Sequence, residues 1–409
     1  MKYANSIKYI DSFKCAGDGE IISYRRISEL CRDLGQINMG VRFIHVPSGV
    51  AGHGCGVFME SIVKNAGYRI GRIVCPEGCD SRSSVYICGQ VPSIEDYNKC
   101  VAELKLKVGK NYESEYLREE IIFVLSLLIC RLEGCEFIIL EGTDKLDRVC
   151  APFELTIIPT IYDSEKTMEK AMRLCDSIRC GTREVISGNQ KKDVYNYIST
   201  VCTPSGQRLF IPAKAQFEIT EQSSRQIVFN YKDREGFMLK TSSLIMRDCA
   251  LTVIEAVMAM RREGIRISMS SVASGLCDAQ SADSFEIISY TPNVIVDNSN
   301  EKDEISLMYK TFLEVFGEKK ISLCIPGESY EDIENMISDI PLTQIKDIIV
   351  CGHNYELSSY QNINVTVCRT HKNAADIISN DCDRDSTWIC YGGSLGQKIK
   401  SEIIKNINK

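Results

Sequence analysis

Histidine is scarce in this chain, at four residues in 409. So few imidazoles limit both metal ligation and acid–base chemistry by histidine. No serine–histidine–aspartate or cysteine–histidine arrangement can be argued from them. Long apolar runs are missing too. No window of 18 uninterrupted apolar residues occurs, so no membrane span is expected. The opening residues, MKYANSIKYIDSFK, lack the apolar core of an export signal and alternate at helical spacing instead. The expectation is an N-terminal helix and a cytoplasmic protein. Basic charge is not in excess: 48 Lys and Arg stand against 55 Asp and Glu, for a net charge of -7. A face that binds nucleic-acid phosphates is therefore not expected. There is no C-x-x-C pair, although the chain holds 20 cysteines. The closest spacing is Cys75 and Cys79, with Cys88 beyond, which lacks the short pairing of structural zinc sites. In a long chain without an export signal, most thiols are expected to be reduced and packed as small hydrophobes, Cys130, Cys249 and Cys390 among them.

What is present is ordinary globular composition, 44% apolar and 25% charged, in a chain long enough for two domains. Apolar runs that read as buried strands are Val41 to Val46, Phe137 to Leu140, Leu155 to Ile161 and Val294 to Val296. Ile321 to Ile325, Ile348 to Cys351, Val365 to Cys368 and Trp388 to Cys390 follow. Between them, Tyr116 to Leu132 is apolar enough for a core helix. Arg247 to Arg262 carries Leu251, Ile254, Val257 and Met258 on one face. Strands alternating with helices imply α/β architecture with mostly parallel sheets. Short β-like runs between Leu209 and Leu239 read as an antiparallel edge on the first sheet. The domain boundary is expected near Ser289 to Pro292, giving domains 1–288 and 289–409.

The strand VRFIHV runs straight into PSGVAGHGCG, and the helical stretch VFMESIVKNAG follows. Strand, glycine-rich loop, helix is the arrangement that cradles phosphates. Gly49, Gly52, Gly54 and Gly56 would permit close backbone approach. A working phosphate loop also needs a lysine on the terminal phosphates and a hydroxyl on Mg²⁺. Residues 47–56 hold no lysine, and the only hydroxyl, Ser48, lies at the strand end. Lys64 is ten residues past Gly54, about 15 Å along a helix. His53 could donate to an anion or be an exposed turn histidine. The plain alternative is a sharp turn that binds nothing.

These residues resemble folylpolyglutamate synthases of the Mur ligase superfamily. In that family a strand ending HVAGTNGKGS meets a helix read as FLESIL, then AGY. Here the corresponding run is HVPSGVAGHG, FMESIV and NAGYRIG. Upstream, RISELCRDLG at Arg26 to Gly35 matches RISxLLxxLG. Downstream, VYICGQVPSIEDY resembles the family's inner hairpin and following helix, and YGGSL at Tyr391 to Leu395 matches a terminal GSL. The resemblance implies a Mur-ligase-like fold: a P-loop-type, mostly parallel sheet domain followed by a smaller Rossmann-like α/β domain.

The resemblance also shows where this sequence departs. The family's lysine falls on Gly52 and its Mg²⁺ hydroxyl on Gly54. Glu141 matches a metal-ligating glutamate, with Asp144 and Asp147 nearby. A ligating histidine falls on Ser164, after Asp163, and the family's carbamylated lysine on Cys175. The H-Q and N-A pairs become Leu244, Ile245, Asp248 and Cys249. A glycine–arginine pair becomes Asp283 and Ser284, before Phe285 and Glu286. The D-G-A-H-N nucleotide motif becomes DNSNE, keeping Asp297 and losing the histidine. No catalytic residue is expected. The nucleotide-site candidates are Gly49, Gly52, His53, Gly54 and Asp297, and the metal candidate is Glu141. Each missing electrostatic group is typically worth about 10²- to 10³-fold in rate, so several together would abolish acyl-phosphate formation.

Three readings stay open. One is a pseudoenzyme that binds a folate- or pterin-like molecule in the cleft between domains, or a protein partner. Another is an active amide ligase using ATP, Mg²⁺, a folate-like carboxylate and an amino acid such as glutamate, with Arg42 or Arg72 as replacement cation. The third is a structural subunit with a closed cleft.

Overall fold

In a computed structural model, the structure describes residues 2–16, 21–74, 81–109, 116–143, 146–162, 167–179, 181–279, 284–327, 329–352, 359–381, 383 and 386–407. Cys75, Cys79, Asp144, Asp163, Ser164 and Asp283 lie outside the described residues. The chain divides into two compact units. The first comprises Met1–Ile161, Met168–Pro212 and Cys249–Ala279; the second comprises Tyr162–Thr167, Ala213–Asp248 and Gln280–Lys409.

The first unit holds a seven-stranded sheet of order β3-β2-β4-β1-β5-β6-β7. Its strands are β1 (Arg42–Val46), β2 (Ile70–Val74), β3 (Val85–Ile87), β4 (Phe137–Glu141), β5 (Phe153–Ile158), β6 (Thr182–Ser187) and β7 (Arg208–Phe210). All pairings are parallel except β2 with β3. Helices α1 (Tyr3–Asp11), α2 (Tyr24–Asp33), α4 (Ile94–Val108) and α5 (Arg118–Leu132) pack on one face, through Ile10, Ile27, Tyr97 and Phe123 against Phe43, Ile73 and Ile138. Every residue of α5 from Glu120 to Cys130 is buried, which is why that helix is apolar on all sides. Its one buried acid is spent on anchoring: Glu120 accepts the backbone N–H groups of Ser23 and Leu117 and pairs with Arg26 at 2.6 Å, tying down the segment RISEL. Helix α3 (Val50–Asn65) follows β1, and α6 (Thr167–Arg179) and α7 (Lys192–Cys202) flank β6 in sequence.

Only the start of the segment read as an antiparallel edge, Leu209 and Phe210 in β7, lies at the edge of this sheet, and it pairs parallel; the rest does not join it. Strands β8 (Phe217–Gln222), β9 (Ile227–Tyr231) and β10 (Arg234–Leu239) form their own three-stranded antiparallel sheet, within the second unit. The antiparallel edge is β3 instead. Alternation in β9, with Ile227, Phe229 and Tyr231 buried, gives strand and face but not which sheet the strand joins. Helix α8 (Leu244–Arg262) and α9 (Met269–Asp278) follow.

The remaining sheet has order β11-β12-β17-β13-β14-β16-β15, parallel inside with an antiparallel strand at each edge. Its strands are β11 (Glu286–Tyr290), β12 (Asn293–Val296), β13 (Ile321–Pro326), β14 (Ile345–Cys351), β15 (Ser359–Tyr360), β16 (Ile363–Cys368) and β17 (Thr387–Cys390). Helices α10 (Lys302–Phe316) and α11 (Tyr330–Ile337) cover one face; α12 (His371–Ser379) and α13 (Leu395–Ile407) cover the other. The parallel strands therefore read as continuous apolar runs. Cys324, Cys351, Cys368 and Cys390 lie side by side on the α12–α13 face, with the Cys324 and Cys351 sulfurs 3.9 Å apart. All sixteen described cysteines are free and eleven are buried, as packing thiols should be. Among the described residues no helix is long and apolar enough to cross a membrane.

Candidate functional site

The connection after β1 leads through α3 to β2 on one side of the sheet, while that after β4 leads to β5 on the other. The chain therefore parts above the carboxyl ends of β1 and β4, which is where ligands collect in open α/β sheets. The glycine-rich segment and Glu141 both stand there: β1 and β4 pair in register from Arg42 opposite Phe137 to Val46 opposite Glu141.

The segment is shorter than its glycines suggest. Only Pro47, Ser48 and Gly49 lie between strand and helix, because α3 already starts at Val50. Gly49 is the N-cap, at φ 99°, a conformation that favours glycine. Gly52, His53 and Gly54 therefore belong to the first turns of the helix and not to a loop, correcting the sequence reading. Three glycines in two turns cost helix stability, about 1 kcal/mol each relative to alanine. Two of them are explained by what they touch. A Cβ on Gly52 would run into the carbonyl oxygen of Pro47, and one on Gly56 would come 2.7 Å from a Glu141 oxygen. Across the turn, a Cβ on Gly142 would meet Ser48 at 2.9 Å, and the Gly142 N–H donates to the Val46 carbonyl at 2.9 Å. The turn 47–49 is thus packed down on the helix start and on the β4 end. Position 52, where the resemblance places a lysine, has no room for any side chain in this conformation.

Glu141 is buried and fully engaged. One oxygen meets His53 Nδ1 at 2.7 Å, and the other accepts from Arg72 Nη1 at 2.8 Å. The same guanidinium donates through Nε to Glu60 at 2.8 Å, and Glu60 accepts the Gly89 N–H at 2.6 Å. Arg72 also lies over the Tyr86 ring, 4.7 Å from its centroid, and Nη1 is 3.4 Å from His53 Nδ1. Burial by itself would raise the Glu141 carboxyl. His53 and Arg72 outweigh it and hold the group down at about 2. Burial would lower the Arg72 guanidinium, and the two glutamates overcome that and raise it. The structure so brings together His53 and Glu141, which the sequence offered separately, and adds Glu60 and Tyr86, which it did not suggest. A glutamate inside the mostly apolar run FMESIV was the available signal for Glu60.

The other candidates go elsewhere. Arg42, offered as a replacement cation, sits at the opposite end of β1, against Phe137. Lys64 is exposed in the last turn of α3. Asp147 is buried, accepting from Thr143 at 3.1 Å, with His45 Nε2 at 3.3 Å. Burial lowers His45 to about 4, so it is neutral near pH 7. Cys175 is core, packed with Ile158 and Ile178. Leu244 and Ile245 are buried; Asp248 pairs with Arg247 and accepts from Tyr162; the Cys249 thiol donates to the Ala51 carbonyl at 3.2 Å. Among the described residues no group of three or more His, Cys, Asp and Glu is placed to hold a metal ion.

In the second unit, Asp297 is buried and turned on its own chain. It accepts the N–H groups of Phe285 at 2.6 Å and Ser299 at 2.7 Å, and the Ser284 hydroxyl at 3.2 Å. Its oxygens are used up in shaping the turn between β12 and α10. Next to it, Glu304 closes a capping box, accepting the N–H groups of Asn300 and Glu301. Burial, opposed by those two N–H donors and reinforced by Asp297 and Glu301, pushes Glu304 up to about 7. A carboxyl that holds its proton better folded than unfolded stabilises the fold at low pH and loses that contribution as pH rises from about 4.5 through 7. Glu304→Gln keeps an acceptor for the cap and should gain about 1–2 kcal/mol over the native chain at pH 8 but little at pH 5. Urea unfolding at both pH values checks this; an equal effect at both would refute the assignment.

No protein-family model matches this chain. Among curated proteins, the dihydrofolate synthase/folylpolyglutamate synthase of Bacillus subtilis (strain 168) is 21% identical over 389 residues, covering 88% of this chain and 86% of the relative. Among solved structures, the apo form of L. casei folylpolyglutamate synthase superposes with a TM-score of 0.79 at 14% identity, covering 99% of this chain and 100% of that one. The Thermotoga maritima folylpolyglutamate synthase gives 0.77 at 16% identity, over 100% and 97%. A Mycobacterium tuberculosis folylpolyglutamate synthase complexed with ADP and AMPPCP gives 0.76 at 12%, over 98% and 99%. The chain thus has the Mur-ligase-like fold of the folylpolyglutamate synthases and is similar to one of them in sequence along most of its length.

Proposed function

We propose that this chain has given up ATP-driven ligation and acts as a binding or regulatory protein built on a ligase fold. One observation carries the reading: the Pro47 carbonyl occupies the space that a side chain at position 52 would need. ATP brings about four negative charges, which phosphate loops offset with a lysine, backbone N–H groups and a metal ion. Here the lysine position is closed. Glu141, the carboxylate matching a metal ligand, is committed to Arg72 and His53. Asp297, matching a nucleotide contact, is committed to backbone N–H groups. Mg²⁺ and ATP do not fit these residues as they stand. The ligand kept by such a protein is proposed to be folate- or pterin-like, because one of the similar solved structures is a complex with AMPPCP and folate.

Calorimetry with ATP and Mg²⁺ should give no saturable heat. No ADP should appear when a folate and glutamate are added, while a folate or pterin alone should raise the melting temperature. Magnesium-dependent ATP binding with ADP release would overturn the proposal in favour of an active amide ligase. A chain inert to both nucleotide and pterin would overturn the ligand assignment.

A further inference from the structure

Arg72 does something that the filled turn does not require. A guanidinium inside a sheet is costly to bury, and it is kept only where carboxylates surround it. On β2, Arg72 is 5% exposed, yet it reaches Glu60 and Glu141 at 2.8 Å each and lies 3.4 Å from His53 Nδ1. Two carboxylates from α3 and β4 and one imidazole thus converge on a single positive group. Those donors are of the kinds that bind divalent cations such as Mn²⁺. The glutamates keep their arrangement by other means as well: Gly56 leaves room for Glu141, and the Gly89 N–H holds the far oxygen of Glu60. His53 is about one-third exposed, so the cluster has a route to solvent.

We propose that the Arg72 guanidinium is the resident cation of this site, held permanently where two carboxylates would otherwise require a divalent metal. The native chain is then metal-independent; Glu60, Glu141 and His53 are not placed to hold a metal ion around the guanidinium, and truncating Arg72 frees them to close on a divalent one. This deepens the reading of a ligase fold without its nucleotide chemistry, but its test uses no nucleotide, so the two stand or fall separately. A guanidinium spreads one charge over a planar fork about as wide as the gap between two carboxylates, which is why it can bridge both. Without it, two like charges face each other in a poorly solvated space, and a small dication is the simplest group that neutralises them.

The experiment is a thermal-shift and calorimetric titration of the full chain with MnCl2. The native protein should show no saturable response up to millimolar Mn²⁺. Arg72→Ala should melt well below the native chain, and Mn²⁺ should restore several degrees saturably. Adding Glu141→Gln to that variant should abolish the restoration, and Arg72→Lys, which retains a cation, should not respond. If Arg72→Ala does not stay folded, it is refolded from urea with and without Mn²⁺; metal-dependent recovery supports the proposal. A native chain that binds Mn²⁺, or an Arg72→Ala chain indifferent to it both folded and in refolding, overturns it.

Discussion

Gly52→Ala is expected to destabilise the protein by about 1–3 kcal/mol, the range for overpacking a closed site. The sign is the informative part. Glycine to alanine inside a helix ordinarily gains up to about 1 kcal/mol. Position 52 lies in the first turn of α3, yet a Cβ there meets the Pro47 carbonyl, a backbone atom that cannot rotate away. Either the helix start or the turn 47–49 must shift, and that turn is itself pressed on Gly142. Gly52→Lys, which puts back the family's lysine, should cost at least as much and should not restore magnesium-dependent ATP binding. Denaturant unfolding of both variants, with ATP calorimetry on Gly52→Lys, tests this. A stabilising Gly52→Ala would show that the turn opens freely. Nucleotide binding by Gly52→Lys would show that the lysine alone was missing.

Glu141→Gln is expected to cost about 3 kcal/mol at pH 7. Two lines lead to that figure. Breaking a buried ion pair by removing one partner typically costs about 3–5 kcal/mol. A carboxyl held at about 2 instead of 4.5 is, at 1.36 kcal/mol per unit, stabilised in its charged form by about 3 kcal/mol. The group's folded pKa is depressed, so its contribution is present above about 4.5 and lost as pH falls toward 2. The difference between native chain and variant should therefore narrow below pH 4.5. A double-mutant cycle with Arg72→Met should give a coupling of about 1–3 kcal/mol, since the two groups touch. Additive effects would mean that Glu141 and Arg72 do not act as a pair.

Read from the sequence, most of the core came out in place. The runs 137–140, 321–325, 348–351 and 388–390 are parts of β4, β13, β14 and β17, because strands buried on both faces must be apolar throughout. The helix expected over 116–132 is α5. Residues 155–161 overshot β5, which ends at Ile158, just before Pro159. β6 was not anticipated; Thr182–Ser187 mixes polar and apolar residues without clean alternation. At the site, the glycines hid the true helix start. Glycine pattern speaks for a loop, whereas tight packing against Pro47 and Glu141 lets the same residues sit in a helix.

The sequence by itself determined the α/β class, the strand–turn–helix at 42–65 and the absence of a lysine where a phosphate loop needs one. These follow from local pattern and from residue identity, which no folding can alter. Only the tertiary structure decided what fills that absence. Arg72, Glu60, His53 and Glu141 lie up to 88 residues apart, between His53 and Glu141, and meet only because β2, β4 and α3 are neighbours in space. Charge pairing in a buried site depends on distance and solvent exclusion, and neither is written in the order of the residues.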